Sequence, residues 1–308
     1  MSDRLHAYLD WMRARAPDFS GLRFAVDCSN GMSSLWVRQM FPNAILLNEH
    51  PDGRFPGHSP NPLLAESRAQ LAAQVQTDGL DCGLIFDGDA DRCMFVDERG
   101  EFVQPDYLIP IVARATLAFA PTAPGLRPIV IHDVRTSRGA IEALREFGAE
   151  PVMVPVGHAF AKPRMRELGA VCGGELAGHY YFAEFHGCDS GLLAALRVLG
   201  EVAAAKRCGM TFSALMAPVA GRYANSGELN FRVDDKEAAI NRVLACAARD
   251  LPVERGRSDL DGLRLEFDAG WFNVRKSNTE PYLRLIVECA TRAQLDDWVV
   301  RLAAAVRG

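Results

Sequence analysis

Three carboxylates occupy every second position of the segment GLIFDGDADRCMFVDERG (83–100), directly after an apolar run. Asp87, Asp89 and Asp91 lie between two short apolar runs typical of strands, so we expect them on a loop that joins two strands. Like charges this close raise one another's pKa unless they share a cation. Because carboxylate oxygens suit Mg²⁺, the spacing predicts a divalent metal site.

Two other interpretations of this segment remain open. An EF-hand would use the three aspartates and end its loop at Glu98, but Arg92 stands where that loop needs glycine, and the flanks predict strands. A haloacid-dehalogenase-type phosphatase also ends an apolar strand in D-x-D, which would make Asp87 a nucleophile and Asp89 an acid-base residue. That interpretation leaves Asp91 without a role. A loop that holds Mg²⁺ with all three carboxylates, and a phosphate as a further partner, uses every acid.

A second group of polar side chains lies in GWFNVRKSNTEPYLRL (270–285). It offers a guanidinium fork, two hydroxyls and an amide, from Arg275, Ser277, Asn278 and Thr279. Such a loop can surround a phosphate dianion with charge-assisted and neutral hydrogen bonds together. Ser-Asn-Thr is also ordinary turn chemistry, so a polar hairpin turn is the alternative.

Two further segments could contact a ligand. GGELAGHYYF (173–182) carries Glu175 and His179, bracketed by glycines that let a ligand approach the backbone. VGHAFAKPRMR (156–166) adds His158 and Lys162 beside a predicted helix N-terminus, where an anion is favoured. A strand-to-loop corner and a solvated helix start are the structural alternatives for these two segments.

The elements that must carry these residues alternate between strands and helices. Strand, turn, helix and strand follow one another through the first part of the chain and repeat through the middle, which is the rhythm of a parallel-type sheet. Near residue 220 the pattern changes to alternating strands with two helices, which is typical of an antiparallel sheet. We expect an α/β protein: two successive α/β domains with mixed sheets, followed by a smaller α+β C-terminal domain. The boundaries are predicted at 1–104, 105–219 and 220–308.

Composition and charge exclude several classes of partner. The net charge is −5, and the 34 basic residues are scattered along the chain, so we expect no nucleic-acid partner. The N-terminal segment has charges throughout, and no apolar run approaches the ~20 residues that a membrane span needs. We therefore expect a cytoplasmic protein without a membrane partner. The eight cysteines form no C-x-x-C pair and are predicted to be reduced.

Taken together, the four segments resemble the α-D-phosphohexomutase family, most closely its bacterial phosphomannomutases. FDGDADRC is similar to the family's metal loop and GHAFAKPRMR to its third-domain phosphosugar loop. GGELAGHYYF with the later CDSG is similar to its sugar-recognition loop, and FNVRKSNTEPYLRL to its C-terminal phosphate loop. The resemblance covers almost the whole chain and begins at the second of the family's four domains, so we expect family domains two, three and four.

The resemblance implies a phosphoserine that gives its phosphoryl group to a hexose monophosphate, followed by return of the other phosphoryl group from the bisphosphate. It implies interconversion of mannose 6-phosphate and mannose 1-phosphate, with glucose phosphates as the alternative. Mg²⁺ would be held by Asp87, Asp89 and Asp91, and the hexose hydroxyls by Glu175 and His179. The remaining cleft residues would be Arg92, Arg135, His158 and Lys162, and the phosphate that is not transferred would be anchored by Arg275, Ser277, Asn278 and Thr279.

Two departures from the family pattern affect these expectations. Ala177 replaces the serine of the family's G-E-x-S-G-H pattern, which removes one hydroxyl contact to the sugar. The family's phosphoserine lies in a T-x-S-H-N-P loop of the first domain, a pattern that these 308 residues do not contain. Ser59 in GHSPNPL (57–63) looks similar but aligns with a second-domain segment that carries no phosphate.

We therefore expect the chain alone to be inactive and to need the family's first domain as a partner. A noncatalytic phosphosugar-binding protein and a sugar phosphatase are the alternatives.

Overall fold

Residues before position 104 form a mixed sheet that contains the acidic loop between two of its strands. The computed structural model describes residues 3–119, 125–277 and 281–308. Strand order in this first sheet is β2-β1-β3-β4-β5, and the strands are β1 Phe24–Asp27, β2 Ile45–Leu47, β3 Cys82–Phe86, β4 Cys93–Asp97 and β5 Phe102–Val103. β1 pairs parallel with β2 and β3, whereas β4 pairs antiparallel with β3 and β5. The acidic segment is therefore the loop from β3 to β4.

Helices cover this sheet because its central strands are apolar on both faces. The helices are α1 Asp3–Arg13, α2 Val37–Met40 and α3 Ala65–Asp78. Every residue of β3 is buried, and α3 packs Leu71 and Val75 against it. Gly83 permits this approach, since a Cβ there would lie 2.8 Å from Leu71 Cδ1.

A second mixed sheet follows, with strand order β10-β9-β8-β6-β7. The strands are β6 Ile129–Asp133, β7 Glu150–Val154, β8 Cys172–Gly174, β9 Tyr180–Phe182 and β10 Cys188–Asp189. The helices are α4 Ile109–Phe119, α5 Arg138–Glu146, α6 His158–Leu168, α7 Gly191–Arg207 and α8 Phe212–Ala220. α7 is buried along most of its length, and it shares one hydrophobic cluster with the first sheet. The two α/β units are thus packed together, and each contains a mixed sheet, as predicted.

The third unit is an antiparallel sheet with helices, as predicted for the C-terminal α+β domain. Its strand order is β11-β16-β15-β14-β13, and β12 also pairs with β16. The strands are β11 Ala224–Asn225, β12 Leu229–Arg232, β13 Glu254–Ser258, β14 Leu263–Phe267, β15 Gly270–Lys276 and β16 Tyr282–Cys289, and the helices are α9 Lys236–Asp250 and α10 Arg292–Arg307. Asp235 and Thr291 cap the two helices through their side-chain oxygens. None of the helices in the described ranges is long and apolar enough to cross a membrane.

Contacts between the units bring their loops together. The residues Arg92 and His179 form an isolated antiparallel bridge between the first and second units. Arg264 of β14 donates from Nη1 to the carbonyl oxygen of Val134 at 2.6 Å, which joins the third unit to the second. The loops that follow β3, β6 and β8 therefore lie near one another, and the candidate site is built from them.

Candidate active site

The three predicted metal residues lie together at the end of β3. One carboxylate oxygen from each of Asp87, Asp89 and Asp91 lies within 4.8 Å of the others. Burial raises the pKa of the Asp87 carboxyl; Arg92 lowers it and Asp91 raises it, and the net shift is upward. The pKa of Asp89 is also raised, by desolvation and by the charge of Asp87. These carboxylates therefore repel one another and would be stabilised by a shared cation.

Arg92 is the cation that the chain itself supplies to this loop. Its Nε lies 2.7 Å from Asp87 Oδ2, and its backbone N–H donates to Asp87 Oδ1 at 3.1 Å. Asp91 Oδ1 is buried and accepts no hydrogen bond from the described residues. A buried oxygen without a donor, next to two further carboxylates, fits a hard divalent cation such as Mg²⁺. Glu98 accepts hydrogen bonds from the backbone and hydroxyl of Ser213 instead, which removes the EF-hand interpretation.

The predicted sugar-binding residues Glu175 and His179 lie beside the acidic loop. His179 Nδ1 is 3.8 Å from Asp91 Oδ2 and 2.9 Å from Asp189 Oδ2. Burial lowers the pKa of His179, but its hydrogen bond to Asp189 and the nearby acids raise it overall. Glu175 is 1% exposed, and its Oε1 accepts from the Tyr181 hydroxyl at 2.6 Å. Desolvation and the charge of Asp133 raise the pKa of Glu175.

His158 and Lys162 stand at the start of α6, opposite this loop. The ring centroids of His158 and His179 are 6.3 Å apart. Lys162 Nζ lies 3.4 Å from Asp189 Oδ1. Burial acts against ionisation of Asp189, yet His179 and Lys162 lower its pKa to about 2. Asp189 thus holds an imidazole and an ammonium group at one edge of the site.

Arg135, a predicted cleft residue, is buried among carboxylates. It is 3% exposed, and its guanidinium donates to Asp133 Oδ2 from Nε at 3.0 Å and from Nη2 at 2.5 Å. Nη2 also lies 3.7 Å from Glu175 Oε2, and Nη1 lies 3.4 Å from Glu228 Oε1. Because carboxylates occupy both sides of the guanidinium, Arg135 links the sugar loop to the third unit.

The predicted phosphate loop begins at the end of β15. Arg275 is 3% exposed, and its Nη2 donates to Glu228 Oε1 at 3.2 Å. Ser277 donates its backbone N–H to the Tyr282 carbonyl oxygen at 2.9 Å. The other two predicted residues of this loop, Asn278 and Thr279, lie outside the described residues.

Ser59 is held by its backbone in the structure. Its carbonyl oxygen accepts from His58 Nδ1 at 2.8 Å and from the Ser67 hydroxyl at 2.9 Å. His58 Nε2 turns the other way, to Asp27 Oδ2 at 3.1 Å. The imidazole therefore contacts the Ser59 carbonyl and not its hydroxyl, so these side chains do not form a Ser-His-Asp triad.

Four residues of this network were not singled out from the sequence: Asp133, Tyr181, Asp189 and Glu228. Asp189 lies in the quoted CDSG segment, and Asp133 stands two residues before Arg135 at the end of an apolar strand. That D-x-R spacing could have indicated a buried ion pair. Glu228 gave no such signal, because it reads as the polar first residue of an alternating strand.

Comparison with known proteins assigns the chain to a family. Models of the phosphoglucomutase/phosphomannomutase family match over most of the chain: alpha/beta/alpha domain II at residues 5–100, alpha/beta/alpha domain III at 104–223 and the C-terminal domain at 228–305. The chain therefore belongs to the phosphoglucomutase/phosphomannomutase family, whose relatives include phosphohexose mutases.

Two curated relatives and one solved structure illustrate the match. The phosphohexose mutases of Xanthomonas campestris are 38% identical over 278 residues, which is 89% of this chain and 60% of theirs. The phosphomannomutase of Escherichia coli is 39% identical over 245 residues, 79% of this chain and 51% of that protein. A phosphoglucomutase/phosphomannomutase family protein from Burkholderia thailandensis superposes with a TM-score of 0.83 at 29% identity, covering 98% of this chain and 65% of that one. The chain thus spans between half and two thirds of the length of these proteins.

Proposed function

We propose that this chain provides the metal, sugar and phosphate loops of a Mg²⁺-dependent phosphohexomutase that interconverts mannose 6-phosphate and mannose 1-phosphate. The observation that carries the proposal is the continuous set of contacts across the units. Asp91 faces His179 at 3.8 Å, and Glu175 is joined to Arg275 through Arg135 and Glu228. Relatives named as phosphomannomutases and phosphohexose mutases support this activity.

Each loop would do a separate part of the chemistry. Glu175 and His179 would bind hexose hydroxyls, Glu175 as an acceptor oriented by the Tyr181 hydroxyl. Arg275 would hold the phosphate that is not transferred, with Ser277, Asn278 and Thr279 completing the loop. The reaction needs such a separate clamp because the intermediate bisphosphate has to turn over and present its other end.

The metal loop would serve the phosphoryl group that is transferred. Mg²⁺ held by Asp87, Asp89 and Asp91 would neutralise the charge that develops on the phosphoryl oxygens. Arg92 already contacts Asp87 through Nε at 2.7 Å, so its guanidinium is positioned to contribute positive charge at the same place. His158 and Lys162 would face the same ligand from the start of α6, where His158 is exposed.

Arg275→Ala tests the proposed binding site directly. Loss of a guanidinium contact to phosphate is expected to cost ~1.5 to 3 kcal/mol, or about one to two decades in affinity for mannose 1-phosphate. Isothermal titration calorimetry measures the change. Arg255→Ala is the matched control, because Arg255 lies on β13 and pairs only with the exposed Asp268 in the described residues. Unchanged binding in Arg275→Ala would refute the assignment.

A noncatalytic phosphosugar-binding protein is the second candidate. It is favoured by one observation: Ser59, whose surroundings in GHSPNPL look similar to the family's serine loop, uses its backbone carbonyl oxygen to hold a loop. Both candidates predict binding of hexose phosphates, and they differ in whether a supplied serine loop gives turnover.

A further inference from the structure

Glu228, directly before β12, contacts guanidinium groups from two units. Arg275 Nη2 lies 3.2 Å from its Oε1, and Arg284 Nη1 lies 2.9 Å from its Oε2. Arg135 of the second unit approaches Oε1 at 3.4 Å. Burial raises the pKa of the Glu228 carboxyl, but the three arginines lower it below its usual value, so the group is ionised at neutral pH.

Arg275 and Arg284 require an anion between them. They are directly opposite on the antiparallel strands β15 and β16, where like charges destabilise the pair. Arg275 is 3% exposed, so water screens its charge poorly. Glu228 supplies the anion through one oxygen to each arginine. Arg275 keeps a spare donor, because no acceptor from the described ranges reaches its buried Nε.

An incoming phosphate would disturb this balance of charge. Arg135 also contacts Asp133 and Glu175, so three carboxylates face three guanidinium groups in the described part of the cluster. A phosphate dianion at Arg275 would lie close to the Glu228 carboxylate and be repelled by it. Resting on the proposed function, we propose that Glu228 is the resident counter-anion of Arg275 and that a phosphate must displace it from this arginine.

The displacement links phosphate binding to the sugar loop. Glu228 Oε1 is shared between Arg275 and Arg135, and Arg135 in turn lies 3.7 Å from Glu175 Oε2. When the carboxylate leaves Arg275, its remaining partners are Arg135 and Arg284. Phosphate at Arg275 would therefore leave Glu228 Oε1 to Arg135, which also contacts Glu175.

Glu228→Gln tests the competition with inorganic phosphate as the probe. The titration is done by calorimetry on the whole chain in EDTA, so that a metal at the acidic loop cannot bind the anion. Removal of the competing charge is expected to tighten phosphate binding about fivefold or more. A merely structural role for Glu228 gives the opposite sign, because a displaced Arg275 binds phosphate less tightly.

The matched control is Glu266→Gln. Glu266 pairs at 2.7 Å with both Arg138 and Arg264 at the boundary of the same units, without contacting Arg275. The phosphate affinity of Glu266→Gln is expected to equal that of the parent chain. An equal gain in affinity in Glu266→Gln and Glu228→Gln would show a general effect of net charge and overturn the proposal.

A second variant keeps the proposal testable if Glu228→Gln does not fold. Glu228→Asp keeps the charge on a shorter side chain, so its hold on Arg275 weakens and phosphate binding is expected to tighten about twofold. If Glu228→Gln folds and its phosphate affinity is unchanged or reduced, the counter-anion role is overturned. If Glu228→Gln does not fold, the same result in Glu228→Asp overturns it. Arg275→Ala distinguishes failure of the proposed function from failure of this inference. If Arg275→Ala binds phosphate as well as the parent chain, the phosphate site itself is misassigned. If Arg275→Ala loses phosphate binding but the Glu228 variants show no gain in affinity, only the counter-anion role of Glu228 is refuted.

Discussion

At the scale of single residues, the candidate site is held by charges that partly compensate one another. Asp87 pairs with Arg92 at 2.7 Å, and Asp189 pairs with His179 at 2.9 Å. The acidic loop differs from the other clusters, because Arg92 stands against three carboxylates there. Its pKa shifts are upward for Asp87 and Asp89, whereas the paired Asp189 shifts downward. Among the described residues of the site, a bound cation would therefore be stabilised most at the acidic loop.

Asp89→Asn is expected to weaken Mg²⁺ binding by about tenfold or more, because an amide oxygen replaces one of three charged ligands. Asp89 is exposed, so the substitution leaves the core intact. Calorimetric titration of the chain with Mg²⁺ measures the affinity. Asp268→Asn, which removes an exposed carboxylate paired with Arg255, should bind like the parent. Equal Mg²⁺ affinity in Asp89→Asn would show that the loop is not the metal site.

Site residues that lie close together in the sequence were easier to predict than residues whose contacts join different units. Asp87, Asp89 and Asp91 stand in one short loop, and their spacing alone indicated that they would meet. Glu228 and Arg275 are far apart in the chain, and their contact depends on how β12 pairs with β16 next to β15. No local sequence pattern encodes that pairing, so the contact between Glu228 and Arg275 is seen only in the structure.

At the scale of elements, β1 ends in a buried carboxylate that holds the loop before α3. Asp27 accepts from the backbone of Ser29 at 2.8 Å, from Asn48 Nδ2 at 3.0 Å and from His58 Nε2 at 3.1 Å. The other ring nitrogen of His58 faces the Ser59 carbonyl oxygen at 2.8 Å. Both ring partners are acceptors, so the arrangement suits a doubly protonated imidazolium.

His58→Gln is expected to lower the free energy of unfolding by about 1 kcal/mol in mildly acidic solution. The hydrogen bond to Asp27 raises the pKa of His58, and burial opposes it only in part. Because the folded-state pKa lies above the unfolded value, the stabilisation is complete below the unfolded pKa and is lost as the pH rises through the folded pKa. Denaturant unfolding at about pH 5.5 and about pH 8.5 measures this, and the deficit of the variant should shrink at the higher pH.

His50→Gln is the control for this prediction, since His50 is exposed and its variant should show the same deficit at both pH values. A deficit in His58→Gln that is independent of pH would mean that the imidazole contributes through packing and not through its charge.

Regular elements followed their sequence patterns where those patterns were long. The apolar period of KEAAINRVLACAARD predicted a helix that the structure places at Lys236–Asp250. β9 and β10 have only three and two residues, too few for a sequence period to indicate them. α8 has a weak helical signal in the sequence, since Pro218 lies inside it and proline normally ends a helix. Its first turn is capped by the Thr211 hydroxyl, and Glu98 of the first unit accepts from Ser213.

At the scale of the whole molecule, charged contacts hold the three units in one arrangement. Arg138 donates its backbone N–H to Glu288 Oε1 at 2.8 Å and its guanidinium to Glu266 Oε2 at 2.7 Å. Arg197 of α7 donates to the carbonyl oxygen of Arg15 at 3.0 Å, which fixes the end of the first helix to the second unit. The acidic loop, the segment from Glu175 to His179 and the end of β15 are therefore held near one another by contacts within the chain.

The proposed scheme assigns the metal site, the sugar contacts and the phosphate clamp to these segments and leaves the covalent nucleophile to be identified. Phosphoryl transfer in the proposed scheme needs a serine positioned against the acidic loop, and water in its place would turn the reaction into hydrolysis. Within the described residues no hydrogen bond joins His58 to the Ser59 hydroxyl, because the ring nitrogens of His58 contact the Ser59 carbonyl oxygen and Asp27 Oδ2. The proposed mutase activity thus depends on a serine loop that these 308 residues do not supply.

The 308-residue chain is expected to show no mutase turnover on mannose 6-phosphate or glucose 1-phosphate, even with Mg²⁺ and a hexose bisphosphate. A phosphomannomutase first domain, fused ahead of Met1 or added in trans, should restore turnover because it supplies the serine that the acidic loop faces. A coupled assay for mannose 1-phosphate measures isomerisation, and a parallel assay for free phosphate detects hydrolysis. The fused chain with Arg275→Ala should lose turnover, whereas the fused chain with Arg255→Ala should keep it. If the isolated chain isomerises the substrate and Ser59→Ala abolishes that activity, Ser59 is the nucleophile. If the fused chain binds hexose phosphate but shows no turnover, the result favours a noncatalytic phosphosugar-binding protein.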